Sequence, residues 1–346
     1  MQTEIQRDQT IDAFRGIAIL SVLVFHYFLR WTPPLSPENL AGLTQSYPAW
    51  MEVGRLGVQL FFVVSGLVIT MTILRSHDVV DFAVKRLARL YPPFLFAATA
   101  TTLIFVFGDP LGFKVSARDF LINLTMLPIP LGAKPVDGAY WSLAPELFFY
   151  GWTAICWIIF KKRFWIGLIV VAVCGFLISF ASPKIGSLML SEYSAFFLAG
   201  VSLWFLMNKD RSGLILLAVA VALYVAGAFR PEEAGPSHLI RHSFLIVSIG
   251  ALFALLLKRP GMKWGPLAWI GRISYSLYLI HQNLGVTGIR LLKDMGASDF
   301  VAVTIVSISA IIAAWLMFKF IELPGQRLVL KAYRMARTSS LQAVNL

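Results

Sequence analysis

Long unbroken apolar stretches alternate with short polar connections along most of the chain. The stretches approach the roughly 20 residues that a helix needs to cross a bilayer. They run continuously instead of alternating with a period of two, which selects helices over the strands of a barrel. The pattern predicts helices at about 11–30, 54–74, 92–108, 140–160, 164–181, 189–207, 213–229, 239–257, 265–288 and 300–321. The expected fold is therefore an all-α integral membrane protein, a bundle of about ten transmembrane helices. The largest piece outside these runs, 109–139, still carries Phe120, Leu121, Ile122, Leu124 and Leu127. It is expected to lie against the bundle as a short or re-entrant helix.

Composition agrees with a bilayer as the solvent. Of 346 residues, 58% are hydrophobic and only 14% charged, against about 25% charged in ordinary soluble domains. Mean hydropathy is +0.74. A single water-soluble core does not hide so much apolar surface, because such cores stop growing and split into domains. The net charge of +12 would suit nucleic acid only if it formed one concentrated patch. Here the cations sit in short loops, so no nucleic-acid partner is expected.

Those loop charges predict orientation, since Lys and Arg are retained on the cytoplasmic side. One alternate set of loops holds Arg75, Lys85, Arg86 and Arg89, then Lys161, Lys162 and Arg163, then Lys209 and Arg211. It continues with Lys258, Arg259 and Lys263 and ends on Arg327, Lys331, Arg334 and Arg337. The other set has Arg30, Lys114, Arg118, Lys134, Lys184, Arg230, Arg241, Arg290 and Lys293. Asp109, Asp119, Asp137, Glu232 and Glu233 dilute it. The first set is denser, so both termini are predicted to be cytoplasmic and the number of spans even. The first apolar run carries Arg15 and His26 and lacks a small-residue cleavage site, so it reads as a retained helix. The domain organisation expected is a cytoplasmic segment 1–10, a membrane domain 11–327 and a cytoplasmic tail 328–346. Cys156 and Cys174 lie inside apolar runs and read as free core thiols.

Ionisable residues at membrane depth are expensive and mark function by default. Arg15 and His26 are eleven residues apart, which returns them to within about 20° on one helical face and separates them by roughly 16 Å. Together they draw a polar stripe across the bundle; apart, Arg15 snorkels to headgroups and His26 is a satisfied core histidine. Ser65-Gly66 is a small-residue step at mid-membrane, suited either to close helix packing or to lining the cavity that His26 faces. Arg86 and Arg89, at i and i+3, share a face at the cytoplasmic border. Their forked donors suit phosphate, and positive-inside anchoring accounts for them equally well.

Trp141-Ser142-Leu143-Ala144-Pro145-Glu146 opens the fourth predicted helix. Ser142 can cap it, and Pro is tolerated in the first turn. Glu146 falls at about the depth of His26, as an orienting or proton-relay partner or as a carboxylate favoured by the helix dipole. The ninth helix carries Arg272, Ser274, Tyr275, Ser276, Tyr278 and His281, too polar a face for lipid. Glu322 at the end of the tenth is expected to pair structurally with Arg272 or Arg89.

In order, these motifs are Arg15–x10–His26, Phe61-Phe62-Val63-Val64-Ser65-Gly66, Arg86-x-x-Arg89 with Tyr91-Pro92, and Trp141-Ser142-Leu143 with Glu146. They continue with Ile273-Ser274-Tyr275-Ser276-Leu277-Tyr278-Leu279-Ile280-His281 and close on Ile321-Glu322-Leu323-Pro324. The ordered set resembles acyltransferase family 3 over about 11–327. Pro145 departs from the small or aliphatic residue more usual there, which bears on the local geometry before Glu146. Some relatives append an extracytoplasmic hydrolase-like domain, and no residues are left over here that would encode one.

The resemblance implies transfer of an acyl group, usually acetyl, from cytoplasmic acyl-coenzyme A to a hydroxyl of a carbohydrate or other envelope or secreted molecule. It implies that the residue matching His26 is essential. It also implicates those matching Arg15, Arg86 and Arg89 in activity or donor binding.

Residues and resemblance together give a set of expected roles. His26 and Glu146 are the catalytic pair. Arg15, Arg86, Arg89, Ser65 and Gly66 bind acyl-coenzyme A. Trp141, Ser142, Arg272, Tyr275, Ser276 and His281 line the cavity. No metal and no permanently bound cofactor is called for; acyl-coenzyme A is a substrate. The expected location is the inner (cytoplasmic) membrane, with the bilayer, the donor and a glycan or other hydroxyl acceptor as partners. A multi-pass transporter or flippase is the rival reading. It often shows inverted repeats or interrupted helices in matching halves, and the chain shows neither.

Overall fold

The computed structural model describes residues 8–29, 54, 56–108, 115–228, 236–258 and 264–344. Arg30, Asp109, Lys114, Arg230, Glu232, Glu233, Arg259 and Lys263, the Arg241 side chain and the first seven residues lie outside the described residues. The chain is a helical protein, and among the described residues there is no strand. In chain order the helices are α1 Gln9–Val24, α2 Gly57–Leu74, α3 Val79–Gly108, α4 Ala117–Asn123 and α5 Leu143–Phe160. There follow α6 Phe164–Ile178, α7 Pro183–Leu188, α8 Ser194–Met207, α9 Ser212–Ala228 and α10 Pro236–Lys258. The last are α11 Gly265–Ile280, α12 Asn283–Asp294, α13 Asp299–Met317 and α14 Leu323–Val344.

Gln9–Phe28, Gly57–Leu74, Val79–Gly108 and Asp299–Thr338 are long and apolar enough to cross a bilayer. Ser194–Met207, Ser212–Gly227 and His242–Lys258 are apolar but shorter. This helical pattern makes the chain a membrane protein. The expectation of about ten spans rests on the apolar runs; length and composition of the described helices support four of them.

Three of the differences between predicted and observed boundaries have a visible cause. α3 begins at Val79 and runs through Pro92 and Pro93, where the sequence pattern started a helix. Prolines remove ladder bonds, but in membrane helices neighbouring elements tolerate them. Here α14 packs on α3 and sets Gly325 against the Pro92 ring. The run predicted from 189 starts at Ser194, because the chain turns at Leu190 with φ 63°. The helix predicted over 265–288 breaks at His281–Gln282 into α11 and α12. In the 109–139 segment, the expected short helix is α4, capped by Ser116, whose side chain accepts from the Asp119 N–H.

The chain divides into two compact units. The first holds α1, α2, α5 from Pro145, α6 to α10, and α11 as far as Ser274. Its core is built where α2 and α8 cross. Gly66 and Gly200 meet there, and a Cβ at Gly66 would overlap the Phe197 carbonyl oxygen. Closer approach of the two backbones follows directly from the two missing side chains. Phe197 also stacks on Phe149 at 4.3 Å between centroids and tilts against Phe62 at 4.7 Å. Such pairs contribute about 0.5–1.5 kcal/mol each beyond their buried area.

The second unit holds α3, α4, the 3-10 turn Gly138–Ser142, the rest of α11, and α12 to α14. α13 passes through a five-residue π-helical turn, Phe318–Glu322, directly into α14. The break after α11 is held from a distant part of the sequence. Asp137 is buried and accepts from the N–H groups of Ala139 and Asn283, both at 2.8 Å. The Asn283 side chain donates to the Val136 carbonyl at 2.9 Å. Asp137 lies between the third and fourth predicted spans, and burial pushes its carboxyl up to about 7 against the two N–H donors that oppose the shift.

The carboxyl of an unfolded chain titrates at about 3.9. Folding therefore binds this proton more tightly, so the stabilisation is complete below about pH 4 and is lost as pH rises to about 7. The apparent stability of the chain should fall across that window by at most about 4 kcal/mol on this account. Melting curves in detergent between pH 4.5 and 7.5 should show the slope in the wild type and a flatter profile in Asp137→Asn. Equal slopes in both would remove Asp137 as the cause.

Candidate functional site

The first unit carries the catalytic candidates. His26 lies in a five-residue π-helical turn, Phe25–Leu29, that continues α1. Such turns widen a helix by one residue and recur at functional positions. Its Nδ1 sits 3.0 Å from the Val22 carbonyl oxygen, and the ring meets Phe25 edge-on at 5.1 Å. A carbonyl only accepts, so this bond places the proton of a neutral imidazole on Nδ1. Nε2 then carries the lone pair. That is the tautomer a general base needs.

Ser65 stands one residue before the Gly66 crossing on α2, and Glu146 in the first turn of α5. Ser65 Oγ donates to Glu146 Oε1 at 2.9 Å, and Tyr150 OH donates to the same oxygen at 2.5 Å. Sequence reasoning expected Glu146 to orient His26; its hydrogen bonds go instead to these two hydroxyls. Pro145 leaves the helix intact, because the first four N–H groups of a helix have no intrahelical acceptor to lose. Gly66 faces the α8 backbone, so its small size serves the helix crossing. Its carbonyl accepts from Thr70 Oγ1 at 2.8 Å. Arg15 is half-buried on α1, and Arg272 is exposed on α11.

Tyr150 was missed by the sequence reading. The signal was present as Glu146 and Tyr150 at i and i+4, a spacing that brings side chains together on one helical face.

The second unit holds most of the cavity-lining candidates, and it uses several of them to tie its own elements together. Ser142 Oγ and Tyr278 OH are 2.7 Å apart, and Tyr278 donates to the Ala139 carbonyl at 2.8 Å. Tyr275 OH donates to the Leu90 carbonyl at 3.1 Å. Ser276 Oγ donates to Glu322 Oε2 at 2.7 Å, which gives Glu322 a hydroxyl partner on α11. His281 is fully buried with Nδ1 2.8 Å from the Tyr278 carbonyl. Trp141 is half-buried, as are Arg86 and Arg89 on α3. Asp137 and Asn283, the clasp of the α11–α12 break, had no local signal because they meet across 146 residues of sequence.

Comparison with known proteins gives the family. Residues 8–319 match the model of an acyltransferase domain. A peptidoglycan O-acetyltransferase of Listeria monocytogenes is 25% identical over 91% of this chain and 55% of its own length. An O-acetyl transferase of Shigella phage Sf6 is 26% identical over 42% of this chain and 44% of its own length. The chain spans about half the length of the first of these relatives. No solved structure matches it. With ordered motifs from Arg15 to Pro324 inside the matched region, the chain belongs to acyltransferase family 3, a family of membrane acyltransferases.

Proposed function

We propose that this chain transfers an acyl group, acetyl in the first instance, from cytoplasmic acyl-coenzyme A to a hydroxyl of an envelope glycan or related molecule. In this reading it is a multi-pass protein of the inner membrane with both termini in the cytoplasm. The relatives, a peptidoglycan O-acetyltransferase and an O-acetyl transferase, support acetyl as the group and a glycan as the acceptor. The observation that carries the proposal is the His26 ring, held by the Val22 carbonyl so that Nε2 is the basic nitrogen.

His26 Nε2 takes the proton of the acceptor hydroxyl as its oxygen attacks the thioester carbonyl. The tetrahedral intermediate collapses with cleavage of the carbon–sulfur bond. The coenzyme A thiolate then recovers the proton from the imidazolium, leaving an ester and free thiol. The negative charge of Glu146 favours the imidazolium that forms midway. Ser65 lines the thioester end, its own proton directed to Glu146. Arg86, Arg89 and Arg15 take the donor's phosphates.

A second reading is favoured by the Ser65–Glu146 bond, in which Glu146 draws the Ser65 proton and Ser65 carries the acyl group covalently. Membranes incubated with labelled acetyl-coenzyme A and no acceptor distinguish the two. Direct transfer predicts no label on the protein; label that is lost in Ser65→Ala supports the acyl-enzyme. A transporter would translocate the acceptor without consuming thioester, and thioester release with acceptor present tests that.

Glu146→Gln keeps the volume and removes the charge. It is expected to lower turnover about 100-fold, the lower range for a group assisting proton transfer. Tyr150→Phe removes one of the two donors to Oε1, and a loss of about tenfold is expected for one charge-assisted hydrogen bond. Steady-state turnover at saturating donor checks both, and a Tyr150→Phe loss exceeding that of Glu146→Gln would reverse the assignment of roles.

A further inference from the structure

Three aromatic rings from three helices stand beside the Ser65–Glu146 bond. Phe62 lies one turn before Ser65 on α2, and Phe149 one turn after Glu146 on α5, each at a spacing that shares a helical face. Phe197 of α8 joins them, 4.7 Å from Phe62 and 4.3 Å from Phe149 between centroids. The Phe149 and Phe197 rings are stacked, with 15° between their planes. All three side chains are buried. They make a wall of rings that runs from α2 through α8 to α5.

Behind the wall there is almost no room. Phe149 and Phe197 form one side of a cavity of about 10 Å³, which Leu168 and Ala172 of α6, Met189 and Ser194 help to close. That is the space of one water. Its cover is fixed. The turn above α8 passes Leu190 at φ 63°, a left-handed conformation that a bulky residue rarely adopts. Trp152 holds the turn, its indole N–H donating to the Leu188 carbonyl at 2.9 Å. A Cβ at Gly175 of α6 would overlap Met189, so α6 and the turn already touch at backbone distance. Interiors packed this closely yield little to an added methylene.

We propose that Phe149 and Phe197 set the size of the acyl group, admitting acetyl and stopping longer chains. The assignment rests on the reading above, in which Ser65 lines the thioester end. An acetyl group ends one carbon beyond its carbonyl, and its methyl meets the face of the ring wall. A butyryl group needs room for two further carbons where the rings stand, and the cavity behind them takes only one water-sized group.

Truncating Phe149 joins the volume of its ring to that cavity. A large side chain deleted from an apolar core leaves a dry space of about 150 Å³ that takes up a benzene-sized guest. Two methylenes need less. The wall is therefore the part of the site whose removal changes which donor fits, and Ala172, on the opposite side of the cavity, is the place from which the space is refilled.

The test uses membranes from cells that express the full chain, with their own envelope glycan present. Acetyl- and butyryl-coenzyme A, carrying different labels in the acyl group, compete in one reaction. The ratio of the two labels transferred is the ratio of kcat/KM, and it does not depend on how much protein is folded. The wild type is expected to favour acetyl about 100-fold, since one methylene too many for a pocket discriminates about 10- to 200-fold. Phe149→Ala should move the ratio about tenfold or more towards butyryl. Phe149→Leu, which disturbs the packing less, should move it the same way by less. Phe149→Ala/Ala172→Leu, which refills the space from α6, should return it towards acetyl. Phe205→Leu, at a buried ring of α8 outside the wall, should leave it unchanged. A wild type that uses butyryl as readily as acetyl would overturn the proposal without any variant. An unchanged ratio in both single Phe149 variants would overturn it too, as would a Phe205→Leu shift equal to that of Phe149→Leu. If the wild type transfers from neither donor, the coenzyme A reading itself fails, and this assignment falls with it.

Discussion

His26→Ala is expected to abolish measurable acyl transfer, with a loss of about 100- to 10,000-fold, while the protein stays folded. The chemistry sets the lower bound. A neutral acceptor hydroxyl is a poor nucleophile near pH 7, and a positioned base is what makes its oxygen attack a thioester. The geometry explains why folding should survive. The His26 ring is half-buried and meets the Val22 carbonyl in the preceding turn and the Phe25 ring, both on its own helix. Removing it leaves α1 and its buried face of Phe14, Ala18, Ile19 and Val22 untouched.

His26→Gln is the sharper variant, because it preserves volume and hydrogen-bonding capacity but cannot accept a proton. It should be as inactive as alanine and bind donor like the wild type. Transfer of labelled acetyl in membranes, with donor binding measured on the same preparations, reads both. Undiminished transfer by either variant would dispose of the base assignment.

The helices around that histidine were legible from the apolar runs because a bilayer allows little else: backbone groups at depth must be paired within their own segment. The limits of that legibility are physical. Two adjacent prolines at 92 and 93 read locally as a start, yet α3 passes through them because another helix packs across the step. The end of α11 was invisible because the residues that hold it, Asp137 and Asn283, are brought together only by the fold.

The site shows the same division. Arg15, His26, Ser65 and Glu146 were found because polar groups in apolar runs are conspicuous. Which of them touch was not in the pattern. Depth alone matched Glu146 with His26, and the fold bonds it to Ser65 and Tyr150. Gly66 had two readings of equal standing, and its contact with the α8 backbone shows the packing one at work.

That contact leads to the largest expected effect on stability. A methyl group at Gly66 would overlap the Phe197 carbonyl oxygen and stand 3.2 Å from the Gly200 Cα. One at Gly200 would overlap the Val63 carbonyl oxygen and stand 2.7 Å from the Leu67 nitrogen. Both obstacles are backbone, so no rotamer change relieves them and the helices must separate. Separation loosens the Phe62–Phe197 contact and shifts α2, on which Ser65 is placed.

Overpacking commonly costs about 1–3 kcal/mol, and a clash with helical backbone belongs at the upper end. Gly66→Ala and Gly200→Ala are each expected to destabilise by about 3 kcal/mol, with lower transfer even where the protein still folds. The double variant should cost less than the sum, because one displacement of α2 from α8 relieves both clashes, and sites in contact are not additive. Unfolding in detergent of the two single variants and the double variant measures that coupling. Strict additivity would mean that the two glycines do not share one crossing. A neutral Gly66→Ala with full activity would return Gly66 to the role of an open wall of the acyl pocket.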